Sequence, residues 1–267
     1  MSELVFLKLG GSLITDKAGE LTARPRVIRR LAREVRTALN KRPDLKLVLG
    51  HGSGSFGHVV ASRYGTRKGV RGPEAWRGFA EVADAAAQLN GIVRQACIRE
   101  GVPVLSLFPS ALARCEKGIL TKLDLTPIQA ALKAGLVPLV FGDVAFDSAL
   151  GGTIASTEDV FVYLAQEMSP ARILLACDVP GVFSQASATR VVPFVTPATF
   201  ASISPALSGA RGTDVTGGMV AKVTQMLGLV ERSPRLVVHI LSGKTPGLVQ
   251  RVLISPDVST GTRLLAR

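Results

Sequence analysis

Leu45-Lys-Leu-Val-Leu-Gly-His-Gly-Ser-Gly-Ser-Phe-Gly-His58 is the stretch on which the reading of this chain turns. A short apolar, β-prone run collapses into glycines and restarts with helix-compatible residues, which predicts a strand, a tight loop and a helix start. Gly50, Gly52, Gly54 and Gly57 let the backbone come close to a ligand, and the first amides of the helix carry unpaired N–H groups at the positive end of its dipole. A phosphate is the natural guest of such a loop. His58 falls one turn into the helix, where its ring can point back at the same anion. A lone histidine on a helix more often packs than binds, but two further glycine-rich elements elsewhere in the chain shift the weight.

Outward from that stretch, the totals set bounds. The chain has 267 residues, 47% of them hydrophobic, with positive mean hydropathy, so it is long enough and apolar enough to bury a sizeable core. Its longest apolar runs, such as residues 136–141, fall far short of a membrane span. The N-terminus shows neither a basic n-region nor a small-residue cleavage site, which leads us to expect a cytoplasmic protein without a membrane partner. Cys97, Cys115 and Cys177 are scattered, and His51, His58 and His239 are the three histidines, so no recognised spacing builds a disulfide framework or a metal site. The net charge of +12 favours anionic partners. Much of it lies on Arg and Lys interleaved with apolar residues at helical spacing over residues 24–42, a solvated helix face; aromatics make up 5% and do not interleave with basic residues, so no nucleic-acid partner is expected.

Along the chain, residues 4–9 read as a strand entering Gly10-Gly11-Ser12, and residues 25–40 as an amphipathic helix opened by Pro25. After the central stretch come an Arg- and Gly-rich loop, a long helix over about 73–99, and strands at 104–107 and 137–141 with a short helix from Thr126 between them. Ser156 to Asp159 resembles a capping box ahead of another helix. A strand over 172–176 follows, then a Ser/Ala/Thr/Pro-rich segment, 184–212, read as a hairpin and loops. Gly217-Gly218 leads a helix to about Arg232, and strands at 236–240 and 262–265 close the chain. This alternation predicts an α/β protein with a largely parallel sheet covered on both faces. No composition shift marks a linker, so residues 1–267 are read as a single domain.

Residues 52–57 formally match G-x-G-x-x-G, yet the acidic residue that a dinucleotide fold needs about twenty residues on is replaced by a basic loop, and the motif sits in the second strand-helix unit. Gly243-Lys244-Thr245 ends like a Walker A loop, but Val238 stands where its first glycine belongs. What remains is three glycine loops, each tied to a lysine: Lys8 with Gly10 and Gly11, residues 52–57 with Lys17, and Gly217-Gly218 with Lys222. Phosphoryl transfer asks for such positioning of cations and amides. Lys8 lies inside an apolar run where an unpaired ammonium would be costly, and an anionic partner resolves that cost.

On the motifs Lys8 to Lys17, His51 to His58, Gly142-Asp143-Val144, residues 174–183 with Asp178 and Gly181, and Thr216 to Lys222, the chain resembles the amino-acid kinase superfamily and, within it, the isopentenyl phosphate kinases. The resemblance implies an open α/β/α sandwich with a mainly parallel sheet, the acceptor, isopentenyl phosphate, in the N-terminal half and ATP in the C-terminal half, with Mg²⁺ and a homodimer. It also implies that Lys8 and Lys222 neutralise the phosphoryl group in flight and that Lys17 contacts the ATP phosphates. Gly10, Gly11, Ser12 and Gly54 would contact those phosphates, Asp178, Gly217 and Gly218 would lie in the nucleotide region, and Ser53, Gly54 and His58 would hold the acceptor phosphate. Many relatives organise the lysines with an Asp in a Ser-Gly-Asp-like motif; here the residue is Glu158. The acceptor's apolar part is expected against Trp76, Phe79, Val82 and Ala83, which share one helix face. His51 and His239 read as structural. A kinase of another small phosphate or phosphonate, such as fosfomycin, and a non-catalytic nucleotide- or nucleic-acid-binding protein are the alternatives.

Overall fold

Strand β1 (Leu4–Leu9) sends Val5, Leu7 and Leu9 into one hydrophobic core and Phe6 into another. Strand β2 (Lys46–His51) does the same with Leu47 and Leu49 against Val48, because successive side chains of a strand point to opposite faces. A sheet buried on both sides must be covered twice, and it is. The computed structural model describes residues 2–16, 19–184, 190–208 and 218–267.

In chain order the remaining strands are β3 (Val104–Ser106), β4 (Ala113–Glu116), β5 (Ile119–Leu123), β6 (Val137–Phe141), β7 (Asp143–Asp147), β8 (Gly151–Ala155), β9 (Arg172–Cys177), β10 (Phe194–Val195), β11 (Val237–Ser242) and β12 (Thr262–Leu264). The helices are α1 (Gly11–Ile14), α2 (Pro25–Lys41), α3 (Gly54–Tyr64), α4 (Gly72–Arg99), α5 (Pro109–Leu112), α6 (Thr126–Lys133), α7 (Thr157–Met168), α8 (Pro197–Ser208), α9 (Gly218–Arg232) and α10 (Leu248–Ile254). The main sheet has the order β10-β12-β11-β9-β1-β2-β6-β3, and only the β11–β12 pair is antiparallel. Helices α2, α4 and α10 feed one core; α6, α7 and α9 feed the other. The architecture is therefore the three-layer α/β/α sandwich with a mainly parallel sheet.

A second sheet, β5-β4-β7-β8, was not foreseen: its short strands carry little apolar periodicity. Asp147 holds its two turns together, accepting from the backbone N–H groups of Lys117 (3.1 Å), Gly118 (2.7 Å), Ala149 (2.9 Å) and Leu150 (2.8 Å). These amides hold its carboxyl below the usual range against the opposing effect of burial. A carboxyl lowered on folding contributes stability that is complete above its unfolded pKa and is lost as pH falls through the folded one. Asp147→Ala is therefore expected to cost about 2 kcal/mol at neutral pH, with the gap to the parent closing in acid; equal urea midpoints at pH 7 would refute the assignment.

Over 184–212 the expectation of a hairpin and loops needs correction. Phe183 and Val191 form an antiparallel bridge, but a helix, α8, follows. Its start signal was present: Thr196 Oγ1 accepts from Thr199 N (3.3 Å) and Pro197 occupies the first turn. No helix among the described residues is long and apolar enough to cross a membrane.

Candidate active site

The C-terminal ends of β1 and β2 run side by side, Lys8 opposite Gly50 and Leu9 opposite His51, so the two glycine turns that follow are forced into contact. A Cβ on Gly11 would lie 2.5 Å from Gly54 N, and one on Gly52 would lie 2.8 Å from Gly11 N. Gly54 adopts φ +50°, and a Cβ there would collide with Thr15 Oγ1. Thr15 Oγ1 in turn accepts from Ser55 N (3.0 Å) and donates to Gly11 O (2.8 Å), tying the loops together.

Helix α7 brings the acid. Ser156 Oγ accepts from Asp159 N (3.1 Å) and Asp159 Oδ2 accepts from Ser156 N (2.8 Å), the capping box expected from the sequence. Thr157 Oγ1 donates to His51 O (2.6 Å). Gly50 permits this approach, since a Cβ there would meet Thr157 Cγ2 and the Phe161 ring at 2.8 Å. So seated, Glu158 forms an ion pair with Lys8, which is only 6% exposed. Burial alone would push the Glu158 carboxyl up; the charges of Lys8 and then Lys222 outweigh it and bring it down to about 2. Lys222 on α9 also donates to Cys177 Sγ (3.9 Å), and Gln225 one turn on donates to Asp159 Oδ1 (2.7 Å), docking α9 onto α7.

These groups open into one cavity of about 640 Å³. Lys8, Gly10, Gly11, Ser12, Ser53 and Glu158 line its middle. Cys177, Asp178, Gly218, Lys222 and Gln225 line one end. The other end runs along α3 past Gly57, His58, Ala61, Ser62 and Gly65, with Val82 and Ala86 of α4 and Ile154 of β8 as its apolar wall. Gly54 does not line the cavity; it packs behind it. Val82, from the expected apolar face, does line it, whereas Trp76 and Phe79 do not. Those two rings stack edge-on at 5.2 Å and gather with Phe146 of β7 outside the lining. Lys17 and Gly217 lie outside the described residues.

His51 is fully buried, stacked on Phe141 at 5.4 Å, with its ring nitrogens 3.2 Å from Gly52 O and 3.3 Å from Asn90 Oδ1. Burial brings its pKa down to about 4, so it stays neutral and structural. His239 is likewise lowered by burial and held against Thr260 O. Asp143 faces the cavity, but its oxygens accept from Ser110 N (3.1 Å) and Val144 N (2.8 Å). Among the described residues no three acidic, histidine or cysteine side chains gather to cage a metal. Ala61, Ser62 and Ile154 went unremarked in the sequence, and Gly65, Arg67 and Lys68 were read only as part of a basic, glycine-rich loop, although 57, 58, 61, 62 and 65 recur at helical spacing and mark one face of α3.

Two glycine turns, a buried lysine, a second, half-buried one and a carboxylate, gathered at the carboxyl ends of parallel strands, make a site for moving a phosphoryl group. The chain belongs to the amino acid kinase family, which it matches over residues 3–242. Within that family it is similar to the isopentenyl phosphate kinase of Methanothermobacter thermautotrophicus, 32% identical over 99% of this chain and 100% of that protein. It is 37% identical to the isopentenyl phosphate kinase of Haloferax volcanii over 93% of this chain and 98% of that one. A solved isopentenyl phosphate kinase structure superposes with a TM-score of 0.81 at 30% identity, covering 97% of this chain and 99% of the other.

Proposed function

We propose that this protein transfers the γ-phosphoryl group of ATP to isopentenyl phosphate, giving isopentenyl diphosphate and ADP. The observation that carries the reading is the buried Lys8–Glu158 pair, with Lys222 beside it, at the waist of a cavity whose far arm combines His58 with an apolar wall. An oxygen of the acceptor phosphate forms the new bond to the γ-phosphorus as the bond to the β–γ bridging oxygen breaks, and that electron pair leaves on ADP. A phosphate monoester has a second pKa of about 6 and is already a nucleophile near neutral pH, so no strong general base is needed.

Lys8 and Lys222 neutralise the charge of the transferred group, and Glu158 keeps the two ammonium groups in place between turnovers. Gly10, Gly11, Ser12 and Lys17 contact the ATP phosphates, with Asp178, Gly217 and Gly218 around the nucleotide. Ser53 and His58 hold the acceptor phosphate, Gly54 shapes the loop that carries them, and Val82, Ala86 and Ile154 take the five-carbon tail, backed by Phe79 and Trp76. Mg²⁺ arrives on the ATP phosphates as part of that substrate, Glu158 and Asp143 being engaged by Lys8 and by backbone amides. The N-terminal half thus serves the acceptor and the C-terminal half the nucleotide within one domain. Both substrates are small soluble anions, which suits a cytoplasmic enzyme. Exposed Ile98, Leu105, Phe108 and Leu136, on and beside the edge strand β3, support a homodimer.

The test is ADP release with MgATP against isopentenyl phosphate, dimethylallyl phosphate, longer prenyl phosphates, fosfomycin, glutamate and UMP. Turnover is expected with the short prenyl phosphates, and His58→Ala is expected to raise the acceptor KM at least tenfold by removing a charge-assisted hydrogen bond worth about 1.5–3 kcal/mol. Preferred turnover of another acceptor would overturn the substrate assignment.

A further inference from the structure

The acceptor arm of the cavity ends in charge. Beyond Ser62 and Gly65 it is lined by Arg67 and Lys68, both exposed and both in the 3₁₀ turn Thr66–Lys68. That turn is fastened to the cavity wall. Gly65 closes α3 at φ +62°, Lys68 N donates to Gly65 O (2.8 Å), Thr153 Oγ1 on β8 donates to Arg67 O (3.2 Å), and Val70 N donates to Leu150 O (2.9 Å). Thr66, the first residue of the turn, is 1% exposed. The backbone under the two cations is therefore fixed, although their side chains reach water.

Of the neighbouring cations outside the lining, Arg63 pairs with Glu20 (3.0 Å), Arg77 with Glu81 (3.2 Å) and Arg24 with Asp16 (3.6 Å), while Arg71 reaches the backbone oxygen of Ala149 (3.5 Å). Arg67 and Lys68 pair with no carboxylate among the described residues. Asp143, one of the carboxylates that line the cavity, has its oxygens occupied by amides. Two uncompensated positive charges thus stand exposed at one end of the cavity. Although the cavity as a whole carries both signs of charge, two exposed cations at one end of it steer an anion toward that end and speed its capture.

We infer that Arg67 and Lys68 form an electrostatic collar that captures the dianionic acceptor, setting its kcat/KM without taking part in the chemical step. The inference rests on the kinase reading above. The experiment compares wild type with the R67Q/K68Q double variant at about 10 mM and about 0.5 M salt, where charges act over about 30 Å and only a few ångströms respectively. At low salt the variant should lose about tenfold in kcat/KM for isopentenyl phosphate, and at high salt less than about twofold. Its kcat, its KM for ATP and its thermal midpoint should match wild type, and R67K should behave as wild type. Equal loss at both salts, a fall in kcat, a shift in the ATP KM, or no loss at all would overturn the collar. Calorimetric titration with isopentenyl phosphate is run in parallel. Salt-sensitive binding that weakens in the variant supports the collar even if the wild type releases no ADP, a result that would sink the kinase reading alone; absence of wild-type binding would sink both.

Discussion

Glu158→Gln is expected to lower kcat about 10²- to 10³-fold while leaving the acceptor KM within a few-fold of wild type. The isosteric amide keeps the shape of α7 but removes the negative charge that holds Lys8 and Lys222 together at the cavity waist. Two ammonium groups left without it repel each other, and Lys8, only 6% exposed, loses the ion pair that offsets its burial. On the proposed mechanism each then departs from the place where charge develops, a loss comparable to removing one preorganised donor, about 3–4 kcal/mol of barrier. Lys8→Met should be at least as damaging. Glu158→Asp should fall between wild type and Gln, because the charge is retained one methylene farther back. With its pKa near 2, Glu158 is ionised throughout the working range, so the acid limb of the rate profile should not report it. Its stabilising contribution is complete above about pH 5 and is lost progressively as pH falls toward 2. Steady-state kinetics decide the matter: less than a threefold fall in kcat for Glu158→Gln would remove that residue from the organising role.

The second large effect lies far from the chemistry. Arg172→Met should destabilise the fold by about 3 kcal/mol in urea unfolding, the usual scale for breaking a buried ion pair from one side. Arg172, 6% exposed at the start of β9, donates to Glu3 Oε1 (2.6 Å) and to the carbonyls of Val252 (2.5 Å) and Leu253 (3.3 Å) in the last turn of α10. Arg42 adds a bond to Ile254 O (3.0 Å). At the other end of α10, Glu34 accepts from Gly247 N (3.0 Å) and Gln250 N (3.4 Å). Negative charge at the N-terminus and positive at the C-terminus both suit the helix dipole, so a seven-residue helix that could not stand alone is clamped at both ends. Arg172→Lys should recover only part of the loss, since an ammonium cannot reproduce the guanidinium fork. A change below 1 kcal/mol for the Met variant would contradict this account.

Both expectations bear on what the amino-acid sequence reveals. The parallel strands were legible because fully buried strands read as unbroken apolar runs, as in residues 4–9 and 137–141. The α7 start was legible because a capping box is local chemistry. Lys8 stood out because a lysine inside such a run requires an anion, which Glu158 supplies from 150 residues away. The second sheet was not legible, since its order depends on Asp147 gathering amides from two turns, a non-local event. Nor was the displacement of Trp76 and Phe79 from the cavity. Helical spacing groups them with Val82, but which part of that face meets the cavity depends on Gly151 and Gly152 of β8, whose bare backbone lets the two rings sit close.

The contact between the glycine turns limits redesign. Gly11 belongs to the turn that follows Lys8, and Gly52 and Gly54 to the one that carries Ser53 and His58, yet each backbone forms the floor of the other. The two loops are one casting, so neither can be recut to suit a new substrate without moving its neighbour. Under the proposed function, an engineer who wants a different acceptor must leave both turns alone and work on the wall formed by Val82, Ala86 and Ile154, of which Val82 and Ala86 are almost wholly buried, so that any change of size there must be matched by the core behind it.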